Sequence, residues 1–202
     1  MIIAFIGFDG TGKSTIAQNL KNKISKETNK DIKIMHGFRH LFLDIIVNKF
    51  KNTHAAKKHT TGSSKKGILS YIWPFIVFID SFLLYFYYKI KFRNKILILD
   101  RYFYDYIPSY QYLDIDKTGL LAILFKLIPK PNYIFSLTVE PEEAYRRKKE
   151  IGDLGDADQN YFFDQKMRYY QLSLDLEINV INTGKDTIEY ITKKIFKSIF
   201  YE

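Results

Sequence analysis

The first 24 residues leave little freedom in the choice of fold. Met1 to Ile6 (MIIAFI) is an unbroken apolar run of strand length, and it passes directly into Gly7-Phe8-Asp9-Gly10-Thr11-Gly12-Lys13-Ser14-Thr15. Ile16, Ala17, Leu20 and Ile24 then recur at helical spacing. In that strand, loop and helix context, Gly-x-x-x-x-Gly-Lys-Ser reads as a phosphate-binding P-loop. Gly7, Gly10 and Gly12 admit the backbone angles and close approach that let successive N–H groups surround a phosphate, with Thr11 and Thr15 in the same wrap. Lys13 supplies a point charge for the β and γ phosphates, Ser14 a hydroxyl for Mg²⁺, and the helix dipole faces the anion. ATP and Mg²⁺ are the ligands this implies.

Length and composition fit one domain spanning residues 1–202, with 47% apolar and 26% charged residues. The absence of cysteine excludes a disulfide framework and thiolate metal ligands and fits a reducing cytoplasm. The amino terminus lacks the basic region and cleavage site of a signal peptide. A net charge of +9 suits anionic partners, but phosphate-binding cations account for part of it, so nucleic acid is not the expected partner.

Further groups follow at the ends of predicted strands, where an open α/β sheet carries its ligands. Asp31 to Met35 ends at His36-Gly37-Phe38-Arg39, which projects Arg39 as a candidate phosphate contact. Lys95 to Asp100 (KILILD) reads as a strand buried on both faces and ends in Asp100-Arg101-Tyr102. Asp100 there would organise Mg²⁺ water, and Arg101 would fork onto a phosphate. Tyr102 to Gln111 (YFYDYIPSYQ), with Tyr102, Tyr110 and Gln111, offers aromatic and amide groups for a base. Asn132 to Val139 and Glu177 to Asn182 complete five strands, and the predicted class is α/β with helices on both faces of a parallel sheet.

Between these lie two unusual segments. Residues 49–66 are polar, lysine-rich and without an acid, which reads as a mobile insert. Ile68 to Tyr88 is apolar for the length of a membrane span, but Asp80 and Pro74 interrupt it. A helix beginning near Pro74 with Asp80 toward a polar cleft is expected, and membrane contact is not favoured. Pro141 opens a helix with acids first and Arg146-Arg147-Lys148-Lys149 after, followed by Gly152 and Gly155, so residues 146–158 read as a basic lid. A closing helix is predicted from a capping box at Asp186-Thr187-Ile188-Glu189, with Ile188, Ile191, Ile195 and Ile199 on one face.

With the P-loop, the Asp100-Arg101-Tyr102 strand end and Pro141-Glu142-Glu143-Ala144-Tyr145-Arg146-Arg147 in this order, the whole chain resembles the thymidylate kinase family, among its divergent members. The resemblance implies a P-loop NTPase three-layer fold, a nucleoside monophosphate kinase acting on dTMP or a related pyrimidine monophosphate, and a homodimer. By the same resemblance Asp9 approaches the acceptor sugar. Gly10 stands where one branch of the family carries an arginine, so Arg147 in the lid would supply the transition-state cation. Three departures concern the acceptor: Ser81 follows Asp80 where many of these enzymes have arginine, Tyr110-Gln111 lies one residue further from Asp100, and the insert is long. A nucleoside or small-molecule kinase, and a nucleotide-binding protein on an anionic surface, are the alternatives.

Overall fold

The computed structural model describes residues 1–37, 68–112 and 118–201. Five strands, β1 (Ile2–Ile6), β2 (Ile32–His36), β3 (Ile96–Asp100), β4 (Tyr133–Thr138) and β5 (Val180–Asn182), pair in parallel in the order β2-β3-β1-β4-β5. The helices between and after them are α1 (Lys13–Glu27), α2 (Ile68–Lys91), α3 (Tyr106–Tyr112), α4 (Thr118–Lys126), α5 (Pro141–Glu150), α6 (Gln159–Asp175) and α7 (Ile188–Phe200). This is the predicted five-stranded α/β architecture, and its layers follow from strand periodicity. Alternate residues of β1 and β3 point to opposite faces. Ile2, Ala4, Ile6, Leu97 and Leu99 pack with Leu84 and Tyr88 of α2, Phe125 of α4 and Leu172 of α6. Ile3, Phe5, Ile96 and Ile98 pack with Ile16, Leu20 and Ile24 of α1 and Ile191, Ile195 and Phe196 of α7. Two cores on either side of one sheet explain why the central strands read as continuous apolar runs.

Two expectations about helix starts need correction. The helix expected near Pro74 begins at Ile68, so the proline falls in its interior. The missing amide donor costs about 3 kcal/mol in a helix, and the burial of Val77, Leu84, Tyr85 and Tyr88 outweighs it. The last helix is capped by Thr187 and not by Asp186, since the Thr187 side chain accepts the Tyr190 N–H at 3.2 Å. Glu189 therefore stands outside the capping-box position, and Ile188, the first helical residue, is half exposed while Ile191, Ile195 and Ile199 are buried.

Asp80 lies on α2 and is 2% exposed, beside the equally buried Ser81. The opposite side of α2 presents Phe75, Ile79, Leu83, Phe86 and Ile90 to the outside. Among the described residues no helix is long and apolar enough to cross a membrane. Arg39 and the lysine-rich insert at 49–66 lie outside the described residues.

Candidate active site

The parallel sheet brings the carboxyl ends of all its strands to one edge, and the P-loop leaves β1 at the centre of that edge. Gly7, Gly10 and Gly12 have φ of 146°, 83° and 84°, so all three occupy backbone that side chains rarely adopt. Gly10 has a second constraint: a Cβ there would sit 2.7 Å from the Ala144 carbonyl and 2.9 Å from its Cα. The first turns of α5 thus rest directly on the phosphate loop. An arginine at position 10 has no room, which gives a physical reason why this loop carries none.

Lys13 is buried, and its Nζ donates to the Phe8 carbonyl at 2.8 Å. Burial, with the nearby Arg101 charge adding to it, pulls the ammonium down to about 8. Ser14 Oγ donates to Asp100 Oδ2 at 2.5 Å, across 86 residues of sequence. A hydroxyl on the P-loop helix and a carboxylate at the end of the adjacent strand are a hard-oxygen donor pair of the kind a Mg²⁺ ion takes with water and phosphate oxygens. The residues fit that ion.

Asp9 and Arg101, predicted separately, meet as an ion pair through Arg101 Nη2 and Asp9 Oδ1. Burial works to raise the Asp9 carboxyl, but Arg101, Lys13 and Lys148 together hold it below the usual carboxylate range. Arg101 Nη1 also donates to the Gly7 carbonyl at 3.3 Å. Its φ of 85° is in the left-handed region, a strained placement for a residue with a side chain. The strain sits where the chain turns out of β3 next to the phosphate loop. On the far side of the turn, Gly37 N–H donates to the Asp100 carbonyl at 2.9 Å, so the end of β2 closes onto the same edge.

The basic segment separates into different roles. Arg147 reaches the P-loop, with Nη1 donating to the Gly10 carbonyl at 3.2 Å and Nη2 to the Thr183 carbonyl at 3.4 Å, while its Nε is held by Glu143 at 2.7 Å. Arg146 lies on Glu143 and Glu150, and Lys148 on Asp153. Gly152 and Gly155 have φ of 66° and 58°, in the turn between α5 and α6. A cleft of about 400 Å³ opens between Asp9 and this turn, lined by Lys148, Asp153, Asp156, Tyr161 and Phe162.

Tyr102 is not a base contact. Its ring is fully buried against Phe103 and Tyr104, and its hydroxyl donates to the Pro129 carbonyl at 2.6 Å. Tyr110 and Gln111 lie on α3. Three residues missed in the sequence belong to the site. Thr183, directly after β5, donates to the Thr11 carbonyl at 2.9 Å; the rule that strand ends carry ligand groups would have found it. Asp105 is fully buried and accepts the Gly7 N–H at 3.3 Å, and burial pushes its carboxyl up despite Arg101 and Lys13. Tyr169 on α6 lies beside it and accepts from Arg101 Nη1 at 3.5 Å. No local pattern marks either of these two.

No protein-family model matches the chain, and no curated protein matches it by sequence. Solved structures do. The thymidylate kinase of Ehrlichia chaffeensis is 18% identical over 98% of each chain, with a TM-score of 0.58. That of Candida albicans is 20% identical over 98% of this chain and 90% of its own, with a TM-score of 0.65. These likenesses agree with the order of motifs in the sequence, and the chain carries the fold of the thymidylate kinases over nearly its whole length.

Proposed function

We propose that the chain is an ATP-dependent nucleoside monophosphate kinase that transfers the γ phosphoryl of ATP to dTMP or a related pyrimidine monophosphate, as a cytoplasmic homodimer. The observation that carries this reading is one crevice with two sets of cations. Lys13 and Arg147 stand on the P-loop, and Arg101 stands beside it, next to Asp9. Phosphoryl transfer needs little covalent help from protein, so positioning and charge placement supply the catalysis. An oxygen of the acceptor phosphate attacks the γ phosphorus, the bond to the β–γ bridging oxygen breaks, and ADP leaves with that oxygen. Lys13 exchanges the Phe8 carbonyl for phosphate oxygens, and Arg147 is placed to meet charge on the transferring group. Ser14 and Asp100 would hold Mg²⁺, which supplies charge neutralisation at the β and γ phosphates. Arg101 binds the acceptor phosphate and Asp9 faces the acceptor sugar.

The test is a coupled ADP-release assay across nucleoside monophosphates and nucleosides. Stimulation by dTMP or another pyrimidine monophosphate is expected; no monophosphate above the water rate sinks the reading. A second reading, a nucleoside kinase, draws on Ser81 beside the buried Asp80 and on Arg101 being already engaged by Asp9. Nucleosides outperforming their monophosphates in the same assay would favour it.

A further inference from the structure

Gly7, where β1 becomes the P-loop, is held through both of its backbone polar groups. Its N–H goes to Asp105 Oδ1 at 3.3 Å and its carbonyl accepts from Arg101 Nη1 at 3.3 Å. The other oxygen of the same carboxylate, Oδ2, accepts the Tyr102 N–H at 2.9 Å, at the start of the 3-10 turn Phe103–Asp105. Asp105 thus ties the mouth of the phosphate loop to the residue that follows Arg101. Tyr169 closes the ring: its hydroxyl accepts from Arg101 Nη1 at 3.5 Å and lies beside the Asp105 carboxylate. Its aromatic ring packs on Phe8 of the loop, with centroids 6.2 Å apart. Neither Asp105 nor Tyr169 has an exposed surface from which to touch a nucleotide, at 0% and 4% exposure. A buried carboxylate is expensive unless it is served by donors and charge, and here the Gly7 and Tyr102 N–H groups and the Arg101 charge serve it.

We infer that Asp105 and Tyr169 are positioning residues that hold the strained Arg101 turn and the Gly7 peptide in one fixed relation, setting acceptor site and phosphate loop against each other. The two are separated by different substitutions. Tyr169→Phe keeps the ring in the core and removes the hydroxyl that accepts from Arg101 beside Asp105. Asp105→Asn keeps the volume but replaces one accepting oxygen with an NH₂ group, which faces either Gly7 N–H or Tyr102 N–H and cannot accept from it.

The effect on catalysis rests on the proposed kinase activity. A hydrogen bond of ordinary net worth corresponds to about threefold to tenfold. Tyr169→Phe is expected to raise the acceptor KM by about that factor, with kcat and the ATP KM within about twofold. Asp105→Asn, which also loosens Gly7, is expected to raise both KM values. A second readout needs no substrate: amide hydrogen exchange followed by NMR, in which the Gly7 or Tyr102 amide should exchange at least about tenfold faster in Asp105→Asn than in the parent chain. A parent chain that phosphorylates no monophosphate overturns the activity, and the exchange measurement then decides the positioning role by itself. Unchanged exchange at both amides, or a Tyr169→Phe variant whose acceptor and ATP KM values move equally, overturns the inference. Should Asp105→Asn fail to fold, the Tyr169→Phe KM pattern decides.

Discussion

Lys13 and Arg101 flank the same phosphate loop and should fail in different ways. In the proposed reaction Lys13 would meet charge that shifts in the transition state, so Lys13→Ala should lower kcat by orders of magnitude with the circular dichroism spectrum unchanged. In the proposed reaction Arg101 would hold the acceptor phosphate alike in ground and transition state, so Arg101→Ala should raise the acceptor KM roughly tenfold to a hundredfold and leave the ATP KM nearly constant. The left-handed backbone at Arg101 allows a finer comparison. Arg101→Gly should match the alanine variant in KM yet be more stable by about 1 kcal/mol in urea unfolding, because glycine relieves the cost of φ > 0. Equal stabilities would mean the turn carries no strain. Glu143 supplies the pH dependence. Hydrogen bonds from Arg146 and Arg147 pull its carboxyl down to about 2. A carboxylate with a depressed folded pKa contributes stability above its unfolded value near 4.5, and the contribution is lost as pH falls through about 2. The Tm difference between the parent chain and Glu143→Gln should therefore be full at pH 6 and shrink steadily from about pH 4.5 downward. Because Glu143 is only half-buried, added salt should reduce that difference too.

At the scale of elements, the phosphate loop, its strand and its helix were legible because the motif and its context are contiguous. Asp100 was legible because a buried apolar strand announces its own end. The network behind Gly7 was not: Asp105 lies 98 residues away from the amide it accepts, and nothing near it in sequence marks the contact. Tyr102 misled for a related reason. An aromatic residue beside a site reads the same in sequence whether its ring faces a ligand or the core, and only the fold places its hydroxyl on Pro129. The start of α7 misled through two capping-competent neighbours, of which the sequence pattern favoured the wrong one. Thr187→Ala should destabilise the protein by about 1 kcal/mol in urea unfolding, and Asp186→Ala by much less; the reverse ranking would restore the predicted cap.

At the scale of the whole molecule, two helices among the described residues leave apolar stripes exposed: α2, and α6 at Phe163, Met167, Tyr170 and Leu174. Ile79 and Leu83 on α2 are 55% and 43% exposed, in line with Phe75, Phe86 and Ile90. A stripe of that length is more than scattered surface apolarity and suits an isologous contact between two copies. The doubly substituted Ile79→Lys, Leu83→Lys chain should be monomeric by light scattering at a concentration where the parent is a dimer, with an unaltered circular dichroism spectrum. A monomeric parent at micromolar concentration would remove the dimer. The contact of Gly10 with Ala144 couples the phosphate loop to α5. With 2.7 Å between a would-be Cβ and the Ala144 carbonyl, a larger residue at position 10 must displace α5, and α5 is what brings Arg147 to the loop. An arginine at position 10 should therefore loosen the Arg147 contact with the Gly10 carbonyl before it could add a charge of its own.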